Sequence, residues 1–158
     1  DRLAVEKEWL KIYEENKIPL QIFRMSGIYS NKYNVLERIR SGNGSIIKKK
    51  NQFFSRIHVE DIANLLFLSL DKLKKGEVYN ISDDKPASSE EVMKYGAKIL
   101  NLPEPKEIKL EDIESKMLKA FYKDSKKVSN KKVKKFFKYD LKFPTYTEGL
   151  NYIKKIIS

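Results

Sequence analysis

The chain has 158 residues, with 33 Lys and Arg against 22 Asp and Glu, a formal net charge of +11, no Cys and one His. That length suits one domain, or one lobe of a larger domain. The lack of Cys excludes disulfides and thiol catalysis, and with a single His we expect no metal site. No apolar run approaches the roughly 20 residues of a membrane span and no signal peptide opens the chain, so we expect a cytoplasmic protein.

Lysine supplies most of the positive charge, since only five of the basic residues are Arg. Proteins that bind nucleic acids rely on Arg, whose planar guanidinium grips phosphate and guanine. A bias toward Lys, Asn and Ile is typical of an AT-rich genome and favours a soluble protein with Lys-covered faces. The basic run at residues 126–138 keeps an alternative open, a nucleic-acid-binding module, although its aromatic residues have the spacing of a helical core.

The chain opens with a predicted amphipathic helix over residues 1–16, with Val5, Trp9 and Ile12 on one face. This helix starts without a Met or a preceding loop, so we expect the sequence to be a piece of a longer chain. Residues 20–25 follow as a short strand, and their apolar character predicts a covered place in a sheet.

The middle of the chain alternates short elements. A break at Ser26 and Gly27 precedes a predicted helix at residues 35–42, and residues 43–56 are predicted to form a loop. Residues 61–73 are apolar nearly all round, which predicts a helix buried on several sides.

Two strands are predicted, at residues 20–25 and 77–82, with a very short strand or bridge at 56–59. Two strands do not make an independent parallel sheet. We therefore expect them to complete a sheet whose other strands lie outside this sequence.

The last part is predicted to be mostly helical. Ser88 with Glu91, and Thr145 with Glu148, have the spacing of capping boxes. Helices are predicted at residues 89–102, 110–122, 130–137 and 149–157.

Few motifs indicate chemistry. The sequence has no glycine-rich phosphate loop, and the Tyr-x-x-x-Lys matches at Tyr13 and Tyr122 are expected by chance among so many Tyr and Lys residues. The adjacent Asp83 and Asp84, beside Pro86, are interpreted as turn residues rather than an acid–base pair.

Five blocks of sequence occur in a familiar order. They are F-R-M-S-G-I-Y, S-R-I-H-V-E-D-I-A, G-E-V-Y-N-I-S-D-D-K-P-A-S, K-K-V-S-N-K-K-V-K and P-T-Y-T-E-G-L. Together they resemble the C-terminal half of the extended and atypical short-chain dehydrogenases, the NAD-dependent epimerase/dehydratase superfamily. The resemblance is closer to atypical, reductase-like members than to sugar-nucleotide epimerases.

The resemblance implies an α/β fold, the C-terminal part of a Rossmann-type fold with few strands plus a small, mostly helical substrate-binding lobe. Residues 1–30 and 59–82 would be Rossmann-core elements, and residues 31–58 and 83–158 would belong to the lobe, all in a single unit. The N-terminal dinucleotide-binding half would be absent and would be this chain's partner, with NAD or NADP bound in the full-length parent and none by this chain alone.

The resemblance also implies site residues. Ser26, Gly27, Ile28 and Tyr29, assigned to cofactor binding, would contact the cofactor or the substrate at the carboxyl end of a strand. Arg2 falls where the family has its catalytic lysine and the tyrosine would precede the sequence, so the catalytic residues are unknown and the enzymatic activity of this chain is uncertain.

Two residues are candidates for substrate binding. Arg56 is predicted either to contact a small anionic substrate or to pair with Glu60 or Asp61, and His58 is placed with it, although a structural role for His58 is also open. Phe54 stands where sugar-nucleotide epimerases have an arginine, which argues against a UDP-sugar. A homodimer through the first helix is possible, whereas a membrane partner or a nucleic acid is not expected.

Overall fold

The structure is a computed structural model that describes residues 1–157. Within that range the helices are α1 (Arg2–Asn16), α2 (Val35–Arg40), α3 (Val59–Asp71), α4 (Ser89–Leu100), α5 (Lys116–Phe121), α6 (Lys131–Phe137) and α7 (Tyr146–Ile157). The strands are β1 (Gln21–Met25), β2 (Gly27–Tyr29), β3 (Ile46–Ile47), β4 (Arg56–His58), β5 (Glu77–Ile81) and β6 (Glu107–Ile108). The predicted α/β architecture with few strands is confirmed.

The strands form three parallel pairs: β1 with β5, β2 with β4, and β3 with β6. The strands predicted at residues 20–25 and 77–82 correspond to β1 and β5, and they pair with each other, with Phe23 beside Tyr79. Each has its other edge unpaired within residues 1–157. This two-stranded parallel sheet is below the size that is stable alone.

Three clusters of buried apolar side chains form the core. The first lies between β5, α3 and α6 and includes Tyr79, Leu65 and Phe137. The second joins α2, α4 and α7 around the fully buried Leu36 and Ile153. The third is smaller and holds the chain around β3 and α5. No member of the three clusters comes from α1.

The apolar face of α1 lies open. Val5, Trp9 and Ile12 are 57%, 49% and 38% exposed, and Glu6 pairs with Arg24 of β1 at the side of the helix. A groove of about 960 Å³ separates α1 from β1. The prediction that β1 is covered was wrong for this chain, because no residue of β1 is buried.

Helix α3 is buried on one side only, which corrects the prediction of burial on several sides. Ile62 and Leu65 pack into the first cluster, whereas Phe67 and Leu70 are 68% and 78% exposed. The described residues supply a partner for one face of this helix and none for the other.

Three further differences concern local structure. The chain breaks at Ser26 as predicted, but Gly27 already begins β2, and the predicted loop at 43–56 contains β3. The predicted helix at 110–122 starts only at Lys116, because the side chain of Ser115 accepts a hydrogen bond from the N–H of Leu118 and caps it there.

In each predicted capping box, one of the two reciprocal hydrogen bonds forms. The hydroxyl of Ser88 accepts from the N–H of Glu91 at 3.0 Å, while the carboxylate of Glu91 accepts from the hydroxyl of Tyr146 instead of closing the box. At α7 the opposite half forms, since the N–H of Thr145 donates to the carboxylate of Glu148 at 2.9 Å.

Candidate functional site

The predicted cofactor-binding residues lie where β1 leads into β2. Ser26 donates its N–H to the carbonyl of Ile81 at 3.0 Å, and Gly27 donates to the carbonyl of Ser55 at 3.1 Å. These hydrogen bonds connect the segment to the end of β5 and to the residue before β4. The side chain of Ile28, 54% exposed, points out between the α1 groove and a second cavity.

That second cavity, here called the β2 cleft, has a volume of about 470 Å³. Ile28 and Tyr29 form one wall, and the start of α4 contributes Val92 and Met93. The stacked rings of Phe54 and Phe121, with centroids 4.3 Å apart, line another side. The structure thus brings two of the four predicted cofactor residues to this cleft, whereas Ser26 and Gly27 line a smaller cavity of about 170 Å³.

Three cations and one carboxylate line the β2 cleft. Lys32 and Arg38 are exposed on the 30–34 loop and α2, and Glu37 lies beside Arg38. Arg56, more deeply placed, is the third cation. The balance of charge in the cleft is positive, which favours an anionic ligand.

Arg56 is held by backbone. Its Nη1 donates to the carbonyls of Phe54 and Ala87, each at 2.9 Å, and these are its hydrogen bonds within residues 1–157. The predicted ion pair of Arg56 with Glu60 or Asp61 does not form, and Glu60 instead pairs with Lys142 at 2.6 Å. Burial lowers the pKa of Arg56, opposed by the charge of Asp83, yet a guanidinium stays cationic in proteins.

His58 lies outside the β2 cleft. Its Nδ1 accepts from the N–H of Glu60 at 3.2 Å at the start of α3, and its ring packs against Phe143 and Tyr29 with centroids 4.2 and 5.0 Å away. Because Nδ1 is an acceptor, the proton of the neutral ring sits on Nε2, which is buried without a partner among the described residues. Burial lowers the pKa of His58. A substrate-binding role for this residue stays a prediction.

Asp83 is a residue that sequence reasoning assigned only to a turn. It is 1% exposed, its carboxylate oxygens have no partner among residues 1–157, and its N–H donates to the carbonyl of Arg56 at 2.6 Å. Burial raises its pKa to about 7, with the charge of Arg56 acting in the opposite direction. The available signal was a carboxyl group two residues after the carboxyl end of β5, a predicted strand.

Asp84 points the other way and is well partnered. Its carboxylate accepts from Asn130 at 2.7 Å and from Lys134 at 2.9 Å, and its N–H donates to the carbonyl of Pro144. The two adjacent carboxylates therefore have opposite surroundings.

Tyr29 joins the β2 cleft to the core. Its hydroxyl is buried and unpartnered within the described chain, and burial raises its pKa. The ring lies directly against the backbone of Gly149 in α7, where a Cβ would come within 2.7 Å of Cε2. Behind it is a small cavity of about 60 Å³ that Arg56 and Tyr146 also line.

Neither Tyr-x-x-x-Lys match lies in the β2 cleft. The ring of Tyr13 packs against Gly76, and Tyr122 is buried in the third cluster. Asp61 accepts from the N–H groups of Lys142 and Phe143 at 2.7 and 3.1 Å.

Three of the seven lysines in the basic run at 126–138 form ion pairs. Lys126, Lys132 and Lys134 pair with Asp or Glu side chains. Phe137 is 5% exposed and Phe136 packs on the first cluster, so their ring faces are not open for stacking on bases.

Within residues 1–157 no group of three or more His, Asp or Glu side chains is arranged to hold a metal ion. Over the same range, no helix combines the length and the apolar character that crossing a bilayer requires.

Comparison with solved structures identifies the fold. A conserved protein of unknown function from Silicibacter pomeroyi is 33% identical with a TM-score of 0.89, covering 99% of this chain and 54% of that chain. A dTDP-glucose 4,6-dehydratase from Bacillus anthracis, in complex with NAD, is 18% identical with a TM-score of 0.72, covering 92% and 47%. A human epimerase family protein with NADPH is 20% identical with a TM-score of 0.70, covering 85% and 48%.

The chain has the fold of the NAD-dependent epimerase/dehydratase superfamily. It spans about half the length of these solved chains. The resemblance and the partial Rossmann-type fold predicted from the sequence are confirmed. No protein-family model matches the chain, and no curated protein matches it.

Proposed function

We propose that the chain is the substrate-binding, C-terminal portion of an NAD(P)-dependent epimerase-, dehydratase- or reductase-like protein. In the complete protein the reaction would be hydride transfer between a nicotinamide and an alcohol or carbonyl. The observation that carries this proposal is the match of nearly the whole chain to about half of solved structures that hold NAD or NADPH. The sequence contains no glycine-rich phosphate loop of its own, as expected if another part of the complete protein binds the diphosphate.

The proposed partner is a dinucleotide-binding half of a Rossmann-type fold. Its strands would add to the unpaired edge of β1, the less buried strand of the β1–β5 pair, and its helices would cover the open faces of α1 and α3. Burial of apolar surface stabilises such an assembly by about 25 cal/mol per Å². The alternative contact for α1, pairing of two copies of the protein, stays a prediction, as does a cytoplasmic location.

The residues around β2 suit the nicotinamide end of a dinucleotide. Gly27 is exposed and has no Cβ, so backbone can approach a ligand closely, and Ile28 offers an apolar side chain beside it. Ser26 and Tyr29 flank this pair. The diphosphate would be held by the partner half, and the substrate would lie in the β2 cleft with Arg56.

The test compares the complete reading frame with the 158-residue chain. We expect the frame ahead of Asp1 to encode a glycine-rich strand–loop–helix, and the complete protein to bind NADH or NADPH by calorimetry while the 158-residue chain binds neither. In the complete protein, Ile28→Glu should weaken dinucleotide binding at least tenfold. Leu102→Glu, at an exposed apolar residue outside the β2 cleft, is the matched control.

Tight dinucleotide binding by the 158-residue chain alone would contradict the proposed division. An upstream frame without the glycine-rich segment would contradict the proposed partner.

A further inference from the structure

We propose that the β2 cleft binds a small anion attached to an apolar group, with Arg56 contacting the anion and Asp83 acting as its competitor for Arg56. This inference rests on the proposed function, because it assigns the class of substrate that the lobe would take. The supporting observations are the side chains that line the cleft and the buried carboxylate of Asp83, whose backbone N–H donates to the carbonyl of Arg56.

The first step concerns the donors of Arg56. Both of its hydrogen bonds within residues 1–157 use Nη1, so the guanidinium is fixed in position by the carbonyls of Phe54 and Ala87. Nε and Nη2 are the nitrogens that remain for a ligand. A guanidinium presents these N–H groups as a planar fork that matches a carboxylate or phosphate.

The second step concerns the rim of the cleft. Lys32 and Arg38 are exposed, line the same cleft, and add two positive charges against the single carboxylate of Glu37. Neither cation forms an ion pair within the described residues. They would attract an anion into the cleft before it reaches Arg56.

The third step concerns the apolar part of the ligand. The stacked rings of Phe54 and Phe121 and the side chains of Ile28, Val92 and Met93 face the same volume. Of these side chains, Ile28 and Phe121 are 54% and 53% exposed, and a bare ion such as inorganic phosphate would leave their surface in contact with water. An aromatic or aliphatic group carrying the anion would cover it.

The fourth step concerns Asp83. Its carboxylate is buried with no hydrogen-bond partner among residues 1–157, next to the strand that carries Arg56. When Asp83 is ionised it attracts the guanidinium and repels a bound anion; when protonated it does neither. Besides Arg56, the charge of Asp84 acts on Asp83 and raises its pKa. The other groups whose charge acts on Arg56 are Glu91, Tyr29, Tyr122 and Tyr146, and Lys32, Glu37 and Arg38 line the cleft with it.

Asp83 is the group in this set with a pKa raised to about 7. The pKa of Glu91 is lowered, since bonds from Tyr146 and Lys85 outweigh its burial, and the pKa values of Tyr29 and Tyr146 are raised by burial. We therefore expect anion binding to weaken as the pH rises through 7, by about tenfold for a 1.4 kcal/mol repulsion.

The test uses benzenesulfonate, whose charge does not change between pH 5.5 and 8.5, with benzyl alcohol as the neutral comparison. Binding to the 158-residue chain is followed by NMR through the amides of Tyr29 and Lys32 and the Nε–H of Arg56. We expect benzenesulfonate to bind, benzyl alcohol to bind at least tenfold more weakly, and the pH dependence to disappear in Asp83→Asn. Benzoate and phenyl phosphate in parallel distinguish a carboxylate from a phosphate ligand.

Two variants localise the site. Arg56→Lys should weaken binding about tenfold, because an ammonium lacks the planar fork. Since Arg56 also holds backbone carbonyls, the exposed pair Lys32→Gln/Arg38→Gln gives a second measurement, compared with Lys50→Gln/Arg40→Gln, which removes the same charge outside the β2 cleft.

Failure of benzenesulfonate to bind, equal binding of benzyl alcohol, or equal losses in the two double variants would overturn the anion site. Binding that is independent of pH in the unchanged chain would overturn the role of Asp83. These results do not involve a dinucleotide, so they are separable from the binding of NADH or NADPH by the complete protein.

Discussion

At the scale of single residues, Asp83 and Asp84 are neighbours with opposite linkage to pH. The pKa of Asp83 is raised to about 7 by burial, so the folded chain holds its proton where the unfolded chain has lost it. Its contribution to the free energy of unfolding should therefore fall as the pH rises from about 4 to about 7, by about 4 kcal/mol for a shift of about three pH units. Urea unfolding at a series of pH values, for the unchanged chain and Asp83→Asn, measures the difference.

Asp84 provides the control. Its burial is outweighed by bonds from Asn130 and Lys134, so its pKa is lowered and its contribution is lost as the pH falls. At neutral pH, Asp84→Asn should therefore be less stable than the unchanged chain and Asp83→Asn more stable, and both differences should shrink toward acid pH. If the two variants show the same dependence on pH, the surroundings described for Asp83 are wrong.

Gly149 is a second residue with a measurable role. An added Cβ would overlap the ring of Tyr29, although Ala is favoured over Gly within a helix by about 1 kcal/mol. We expect Gly149→Ala to lower the free energy of unfolding by about 1–3 kcal/mol through overpacking. Gly96→Ala in α4 is the matched comparison, because its Cβ would meet the side chains of Ile39, Val35 and Leu36 at 2.9–3.3 Å, a milder overlap than that with Tyr29, and we expect a smaller loss. Equal effects in the two variants would show that Tyr29 is not held against α7.

At the scale of elements, most helices and both longer strands could be predicted from periodicity and caps. The short strands β2 and β3 could not, because their pairing depends on β4 and β6, which lie far along the chain. Burial was also unpredictable: a pattern apolar all round predicts contacts on every side of α3, but the contacts depend on which neighbours are present. In the candidate site, Arg56 and Tyr29 were found through the resemblance, while Asp83 looked like a turn residue.

Asp61 connects two elements. It is fully buried in α3 and accepts hydrogen bonds from the N–H groups of Lys142 and Phe143 and from the hydroxyl of Tyr139. Asp61→Ala leaves these donors without an acceptor, and we expect a loss of about 3 kcal/mol or more in urea unfolding. Glu60→Gln, one residue earlier at an exposed ion pair, should change little. A small effect of Asp61→Ala would mean that the 138–144 segment is held by other contacts.

At the scale of the whole molecule, the two faces of α3 should have different roles. The buried face stabilises the fold of this chain, and the exposed apolar face is the one that a partner half would cover. We expect Phe67→Gln to leave the stability of the 158-residue chain within about 0.5 kcal/mol and to reduce its binding of a hydrophobic dye. Leu65→Gln, on the buried side of the same helix, should lower stability by more than 3 kcal/mol. Strong destabilisation by Phe67→Gln would show that the outer face of α3 is already covered in this chain.

The weak attachment of α1 has a consequence for the behaviour of the chain in solution. This helix has no buried residue and touches the remainder through the pair of Glu6 with Arg24 and the ring of Tyr13 against Gly76. Its amides should exchange with deuterium well before those of α4 or α7, and limited trypsin digestion should cut near Lys17 while the three clusters stay intact. A partner half that covers α1 would slow both processes, so the helix would report on assembly.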